Sequence, residues 1–228
     1  MSWALVPAAG SGRRFGGEVP KQYLQVAGKP LIAHALDALL SHPSIDGVVV
    51  ALAAGDLNWP GWTRLHDKPV LTCTGGGERA DSVLAALRAM PGGCDDDTLV
   101  LVHDAARPNL RAGDLDRLLE AAARHADGAI LAAPVRDTIK RADEGLCIAA
   151  TEPRESLWRA LTPQAFARGV LVQALERARA DGVVVTDEAM AVERLGCRPR
   201  LVEGREDNLK VTTPADLALA EFLLGRTP

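Results

Sequence analysis

Two hydrophobic periods alternate along this chain. Residues 3–6 are apolar at every position and empty into the small residues Ala8, Ala9 and Gly10, which predicts a strand buried on both faces. Behind Pro30, residues 31–40 carry apolar side chains at helical spacing. Apolar runs at 48–52, 70–74 and 98–102 predict further strands. Between the last two, residues 78–87 predict a helix with acidic residues in its opening turn, where the helix dipole favours them. The pattern continues with a helix over 114–125, a strand over 129–135 and helix within 157–179, interrupted near Thr162-Pro163. It ends with a helix over 187–195, a strand over 200–203 and a helix over 214–224 that starts with Pro214 and Asp216. Strand–helix alternation over most of the length predicts an α/β fold, a largely parallel sheet covered on both faces.

Two stretches interrupt the alternation. The segment through Trp59-Pro60-Gly61-Trp62 has no regular period and is expected to be a surface excursion. Residues 136–154 are polar and aperiodic between two regular elements. A structureless loop of that length is uncommon inside a compact domain, so a protruding β-arm, packed on another subunit, is expected there. There is no internal repeat or low-complexity tract, and 228 residues suit a single domain over 1–228 with the arm inside it.

Composition narrows the function classes. A net charge of −4 argues against a general nucleic-acid binder, so any basic site must be local and suited to a small anion. No apolar stretch approaches the length of a membrane span, and the N-terminal residues lack the pattern of a signal peptide. Cys73, Cys94, Cys147 and Cys197 show neither Cys-x-x-Cys pairing nor zinc spacing, which suits reduced thiols in the cytoplasm. The five histidines are scattered and suggest no metal cluster or triad.

The candidate chemistry lies at the ends of strands. In Gly10-Ser11-Gly12-Arg13-Arg14-Phe15-Gly16, followed by Pro20-Lys21-Gln22, glycines let backbone N–H groups approach an anion while Arg13, Arg14 and Lys21 add positive charge. No P-loop run is present, and Phe15 occupies the third glycine position of a dinucleotide fingerprint. A nucleoside triphosphate is the economical ligand, against a plain strand-to-helix turn with solvated charges. Ligands of open parallel sheets bind beyond the carboxyl ends of strands. Gly10, Gly75-Gly76-Gly77 and Asp104 follow three such ends and are expected to face one crevice. Asp104 alone could cap a turn or pair with Arg107, but beside a cationic glycine loop it is favoured as a Mg²⁺ ligand. Thr138 and Arg154, at either end of the arm, read equally as a phosphate-monoester site or as a solvated charged hairpin. Thr186 reads as a helix cap, and Lys210 as surface charge.

The conjunction of motifs is more specific than any one of them. Pro7-Ala8-Ala9-Gly10-Ser11-Gly12-Arg13-Arg14-Phe15, Pro20-Lys21-Gln22-Tyr23, Glu78-Arg79-Ala80-Asp81-Ser82-Val83 and His103-Asp104-Ala105-Ala106-Arg107-Pro108 come first. Pro134-Val135-Arg136-Asp137-Thr138-Ile139-Lys140, Leu161-Thr162-Pro163-Gln164, Thr186-Asp187-Glu188 and the run from Glu203 to Thr212 follow in order. Together the chain resembles the 2-C-methyl-D-erythritol 4-phosphate cytidylyltransferases of the non-mevalonate isoprenoid pathway. The resemblance implies a Rossmann-like nucleotidyltransferase fold and a reaction of CTP with methylerythritol phosphate that releases pyrophosphate. By the same resemblance, Arg14 and Lys21 hold the triphosphate, Asp104 binds Mg²⁺, and Ala8, Ala9, Gly10, Gly76 and Ser82 line base and ribose. Arg107, Thr138, Arg154, Thr186 and Lys210 match the acceptor site, with Arg154 and Lys210 orienting the attacking phosphate. The arm would cross to a partner, giving a homodimer. The chain departs from the pattern at Gly77, where many members carry an acidic residue. Two rival functions are a cytidylyltransferase for ribitol 5-phosphate and a catalytically silent nucleotide-binding regulator.

Overall fold

Strand β1 (Ser2–Ala8) lies at the centre of the sheet, in a computed structural model that describes residues 1–10 and 19–226. A small hairpin, β2 (Gln25–Val26) and β3 (Lys29–Pro30), leads into α1 (Leu31–Leu40), the helix expected behind Pro30. Next come β4 (Gly47–Leu52), β5 (Arg64–Leu65), β6 (Lys68–Thr74), α2 (Arg79–Arg88), β7 (Leu99–Val102), α3 (Ala112–Arg124) and β8 (Ala129–Pro134). The order closes with β9 (Ile139–Ala142), β10 (Ile148–Glu152), β11 (Trp158–Ala167), α4 (Arg168–Ala180), α5 (Glu188–Glu193), β12 (Arg200–Glu203) and α6 (Pro214–Leu224).

The main sheet runs β12-β8-β11-β7-β1-β4-β6-β5. β1 pairs in parallel with both β4 and β7, so the chain moves outward on one side of β1 and then restarts on the other. That reversal opens a crevice above the carboxyl ends of β1 and β7, where ligands of such sheets bind. Alternation within the strands divides the core. Ala4, Val6, Val48 and Val50 face one layer with Leu36 and Leu39 of α1 and Leu115 and Leu118 of α3. Trp3, Leu5, Val49 and Ala51 face the other with Leu84 and Leu87 of α2 and Leu171 and Leu175 of α4. Both faces are covered, which is why these strands read as continuous apolar runs.

One expectation is corrected here. Residues 158–167, expected to carry helix before an interruption at Thr162-Pro163, form β11, and helix begins only at Arg168. β11 runs antiparallel to both β7 and β8, so the sheet is mixed. Residues 161–166 are all buried, and a strand covered on both faces shows no period to separate it from buried helix. The 59–62 segment is irregular as expected, but Trp59 and Trp62 meet edge-to-face and pack partly buried against the core.

β9 and β10 form an antiparallel hairpin outside the main sheet. Its bonds are local: Arg141 pairs with Glu152 at 2.6 Å, and Lys140 Nζ donates to Thr151 Oγ1 at 2.7 Å. Near its tip Leu146 and Ile148 are 88% and 68% exposed, in contrast to the buried apolar residues of β1.

Candidate active site

Three strand ends build one pocket. β1 ends in Ala8, Ala9 and Gly10, and Gln22 fixes that end by donating from Nε2 to the Ala8 carbonyl at 2.7 Å and the Gly10 carbonyl at 3.3 Å. β6 passes into Gly75-Gly76-Gly77, where the Gly75 N–H continues the ladder to the Leu52 carbonyl at 2.7 Å. A Cβ on Gly75 would stand 2.6 Å from the Ala9 Cβ, and one on Gly76 would stand 2.3 Å from the Asp81 Cβ. Only glycine lets the loop, β1 and α2 approach this closely. Ser82 then accepts the Gly76 N–H at 3.2 Å and donates to the Glu78 carbonyl at 3.2 Å. β7 ends at Asp104. Ala8, Ala9, Gly10, Lys21, Gly76, Ser82, Asp104 and Lys210 line the same pocket, as expected of the crevice.

Asp104 is its electrostatic centre. Arg79 donates to Oδ1 from Nε at 3.2 Å and from Nη2 at 3.1 Å. On Oδ2 sit Lys210 Nζ at 2.9 Å and Arg107 Nε at 3.4 Å. Burial of the carboxyl opposes its charge, but Arg79, Lys210 and Arg107 outweigh it and hold the group well below the usual carboxylate range. Arg107 is itself buried and sends Nη1 to the Asn208 carbonyl at 2.7 Å, so it anchors the segment that carries Lys210. Lys21 donates to the Val211 carbonyl at 3.2 Å, placing both lysines on one wall.

A neutral histidine supports the floor. His103 Nε2 lies 3.1 Å from the Arg107 carbonyl, which can only accept, so Nε2 carries the proton. Nδ1 therefore accepts from Thr162 Oγ1 at 2.9 Å, and that oxygen accepts the Asp104 N–H at 3.1 Å. Complete burial pushes the imidazole down to about 4, which keeps it neutral and the chain of donors intact.

The remaining expected residues are dispersed. Thr138 and Arg154 are exposed at the base of the hairpin, away from the pocket, and Arg154 Nη1 donates to the Arg136 carbonyl. Thr186 is exposed before α5 and does not cap it: Asp187 accepts the Met190 N–H at 2.9 Å, while Thr186 Oγ1 lies 3.6 Å from the Met190 sulfur. A carboxylate one residue nearer the helix reaches the free N–H directly, so it takes the cap position. Arg14 lies outside the described residues. Sequence reasoning gave no role to Arg79, Glu188, His103 or Gln22. The only signal for them was membership of the quoted motifs.

Comparison with known proteins decides the family. A family model described as 2-C-methyl-D-erythritol 4-phosphate cytidylyltransferase matches residues 2–226. The chain belongs to that family. A relative of that name from Xanthomonas campestris pv. campestris (strain 8004) is 65% identical over 223 residues, 98% of this chain and 84% of the relative. One from Xanthomonas axonopodis pv. citri (strain 306) is 63% identical over the same shares. The crystal structure of the Francisella tularensis cytidylyltransferase aligns with a TM-score of 0.83 at 32% identity, over 97% of this chain and 99% of that one. The Thermus thermophilus cytidylyltransferase aligns with a TM-score of 0.78 at 36% identity, over 98% of each chain. No described helix is long and apolar enough to cross a membrane.

Proposed function

We propose that this chain transfers the CMP moiety of CTP to 2-C-methyl-D-erythritol 4-phosphate, giving 4-diphosphocytidyl-2-C-methyl-D-erythritol and pyrophosphate in the non-mevalonate isoprenoid pathway. The observation that carries this reading is the convergence of Lys21, Arg79, Asp104 and Lys210 on one pocket walled by Ala8, Ala9, Gly10, Gly76 and Ser82, within a chain of that family.

The chemistry asks little of the protein beyond position and charge. The attacking oxygen belongs to a phosphate and is already anionic, so no general base is required. Lys21 and Arg14 hold the triphosphate and stabilise the charge that builds as the α-phosphorus becomes five-coordinate. Gly10 and its neighbours, with Gly76 and Ser82, take the ribose and cytosine through backbone groups and one hydroxyl. Lys210 and Arg154 orient the acceptor phosphate. Thr138 and Thr186 supply hydroxyls to the acceptor, and Arg107 holds the Lys210 segment in place.

Asp104 is ionised, as a magnesium ligand must be, but Arg79, Lys210 and Arg107 sit on both its oxygens, so at least one of these cations would have to give way before the carboxylate, phosphate oxygens and water could hold the ion. Among the described residues no group of three or more His, Cys, Asp or Glu side chains forms a dedicated cage. When bound, the ion would neutralise part of the triphosphate charge.

The exposed apolar tip of the hairpin supports a homodimer in which Thr138 and Arg154 serve the neighbouring subunit's pocket. The cytoplasm suits four cysteines that form no disulfide. Pyrophosphate release from CTP and Mg²⁺, with methylerythritol phosphate or ribitol 5-phosphate as acceptor, tests the reading. Rapid release is expected with methylerythritol phosphate only. Preference for ribitol phosphate, or release with neither, would overturn it.

A further inference from the structure

Arg79 is a bridge with two carboxylate ends. Its Nε and Nη2 hold Asp104 Oδ1, while Nη1 donates to Glu188 Oε1 at the start of α5. Glu188 is 1% exposed, and its Oε2 has no hydrogen-bond partner among the described residues. Such a group is costly. Desolvating an ion pair consumes most of its Coulombic gain, and a half-satisfied buried carboxylate loses more. Fold stability alone therefore explains Glu188 poorly, and a well-packed apolar pair would serve a purely structural role as well.

The mount of Glu188 is unusually fixed for a six-residue helix. Gln164, buried in β11, donates from Nε2 to Asp187 Oδ2 at 2.9 Å and accepts the Ala189 N–H on Oε1 at 2.9 Å. The residues on both sides of Glu188 are thus clamped to the central sheet by one side chain. Arg79, in turn, sits in the first turn of α2 and lines the nucleotide pocket. The chain β11–Gln164–α5–Glu188–Arg79–Asp104 is continuous, and each link has a defined geometry.

We propose that Glu188 is a positioning residue: acting through Arg79, it sets the orientation of the Asp104 carboxylate in the nucleotide pocket. This rests on the cytidylyltransferase reading of the same pocket. Glu188 itself touches no substrate. Burial pushes the Glu188 carboxyl up and Arg79 opposes that rise, and the charge this pair keeps holds the guanidinium on the far side, so that Nε and Nη2 remain directed at Oδ1 while Lys210 and Arg107 occupy Oδ2. Without that charge Arg79 is free to follow the phosphate charge, and Asp104 loses its fixed direction.

The test uses Glu188→Gln, which keeps shape and the Oε1 acceptor, alone and combined with Arg79→Met. Thermal melting, CTP affinity by calorimetry, and kcat and KM for both substrates are measured on the full chain. Glu188→Gln is expected to melt close to the wild type and bind CTP within about twofold, while kcat falls about tenfold, the size of a small misplacement of a reacting group. In the Arg79→Met background the same change is expected to alter kcat by less than about twofold, because the two act as one unit. A Glu188→Gln enzyme with kcat within twofold of an active wild type would overturn this inference alone. So would an equal tenfold loss in both backgrounds, or a loss that follows melting temperature only. A wild type inactive with CTP and methylerythritol phosphate would overturn the functional reading, and this inference with it.

Discussion

The nucleotide pocket and the hairpin arm are built by opposite rules. Around Asp104 most partners come from far away in sequence: Arg79, Lys210, Thr162 and, one step out, Glu188 and Asn208, with Arg107 three residues on. Between β9 and β10 the side-chain bonds join close neighbours across one hairpin, Arg136 at the base of the arm reaches Glu206, and the apolar side chains near the tip face outward. The bonds of the pocket network close within one chain. The arm, with its exposed apolar tip, is the region for which the proposed homodimer would supply a covering surface. The contrast predicts that removing the pocket's central charge shows in stability and activity together, whereas damage to the arm shows in activity alone.

The largest effect is expected at the centre of the pocket. Asp104→Ala leaves three cations without their shared carboxylate, two of them largely buried. Chemical denaturation should report a loss of about 3–5 kcal/mol, the usual cost of stranding a buried charge, and pyrophosphate release should fall to background. Retained stability would mean that the network around Asp104 is not closed as described.

Acid should find the same region. The His103 imidazole is held down to about 4 by burial, while in the unfolded chain it titrates at its ordinary, higher value. Between those two values the unfolded state takes up a proton that the folded state refuses. Stability is therefore intact above the unfolded value and declines as pH falls toward 4, by about 3 kcal/mol in all. Below the ordinary carboxylate range Asp104 adds to the loss in the same direction, since its folded value is depressed. Denaturation midpoints across this range should show the slope, and His103→Gln should flatten it; an unchanged slope would contradict the neutral, buried imidazole.

The smallest effect on the fold is expected in the arm. Arg154 is exposed, and its side chain donates to one backbone carbonyl. Arg154→Gln should leave stability within about 0.5 kcal/mol, as for other surface substitutions, yet lower kcat/KM for methylerythritol phosphate with little change in CTP affinity. Equal loss of CTP binding would erase the division between the two regions.

The same contrast explains what could be read from sequence. α1 starts behind Pro30 and runs where its apolar spacing places it, because a packed face writes its period into the chain, whereas α6 is marked by Pro214 and Asp216 at its start. The arm stood out as an aperiodic polar stretch between regular elements. β11 did not stand out, since burial on both faces removes any period. Within the site, the glycine turns and Asp104 were visible as loop chemistry at strand ends. Arg79 and Glu188 were not, although each lies in a recognisable motif. Both look like ordinary charges at helix starts, and only folding brings these residues, 109 positions apart, into contact. The Thr186 cap was misread for a related reason: Thr and Asp are both good caps, and the backbone decides between adjacent residues.

Mixing two variants impaired in turnover tests most directly whether the arm completes a neighbour's pocket. Lys21→Ala disables a pocket and Arg154→Gln disables an arm. In a mixed dimer with exchanged arms, one site joins an intact pocket to an intact arm. After subunit exchange of equal amounts, about a quarter of the wild-type rate should return, since half of the dimers are mixed and each has one working site. If no activity returns although mixed dimers form, each arm serves its own pocket, and the account of a site shared between subunits is wrong.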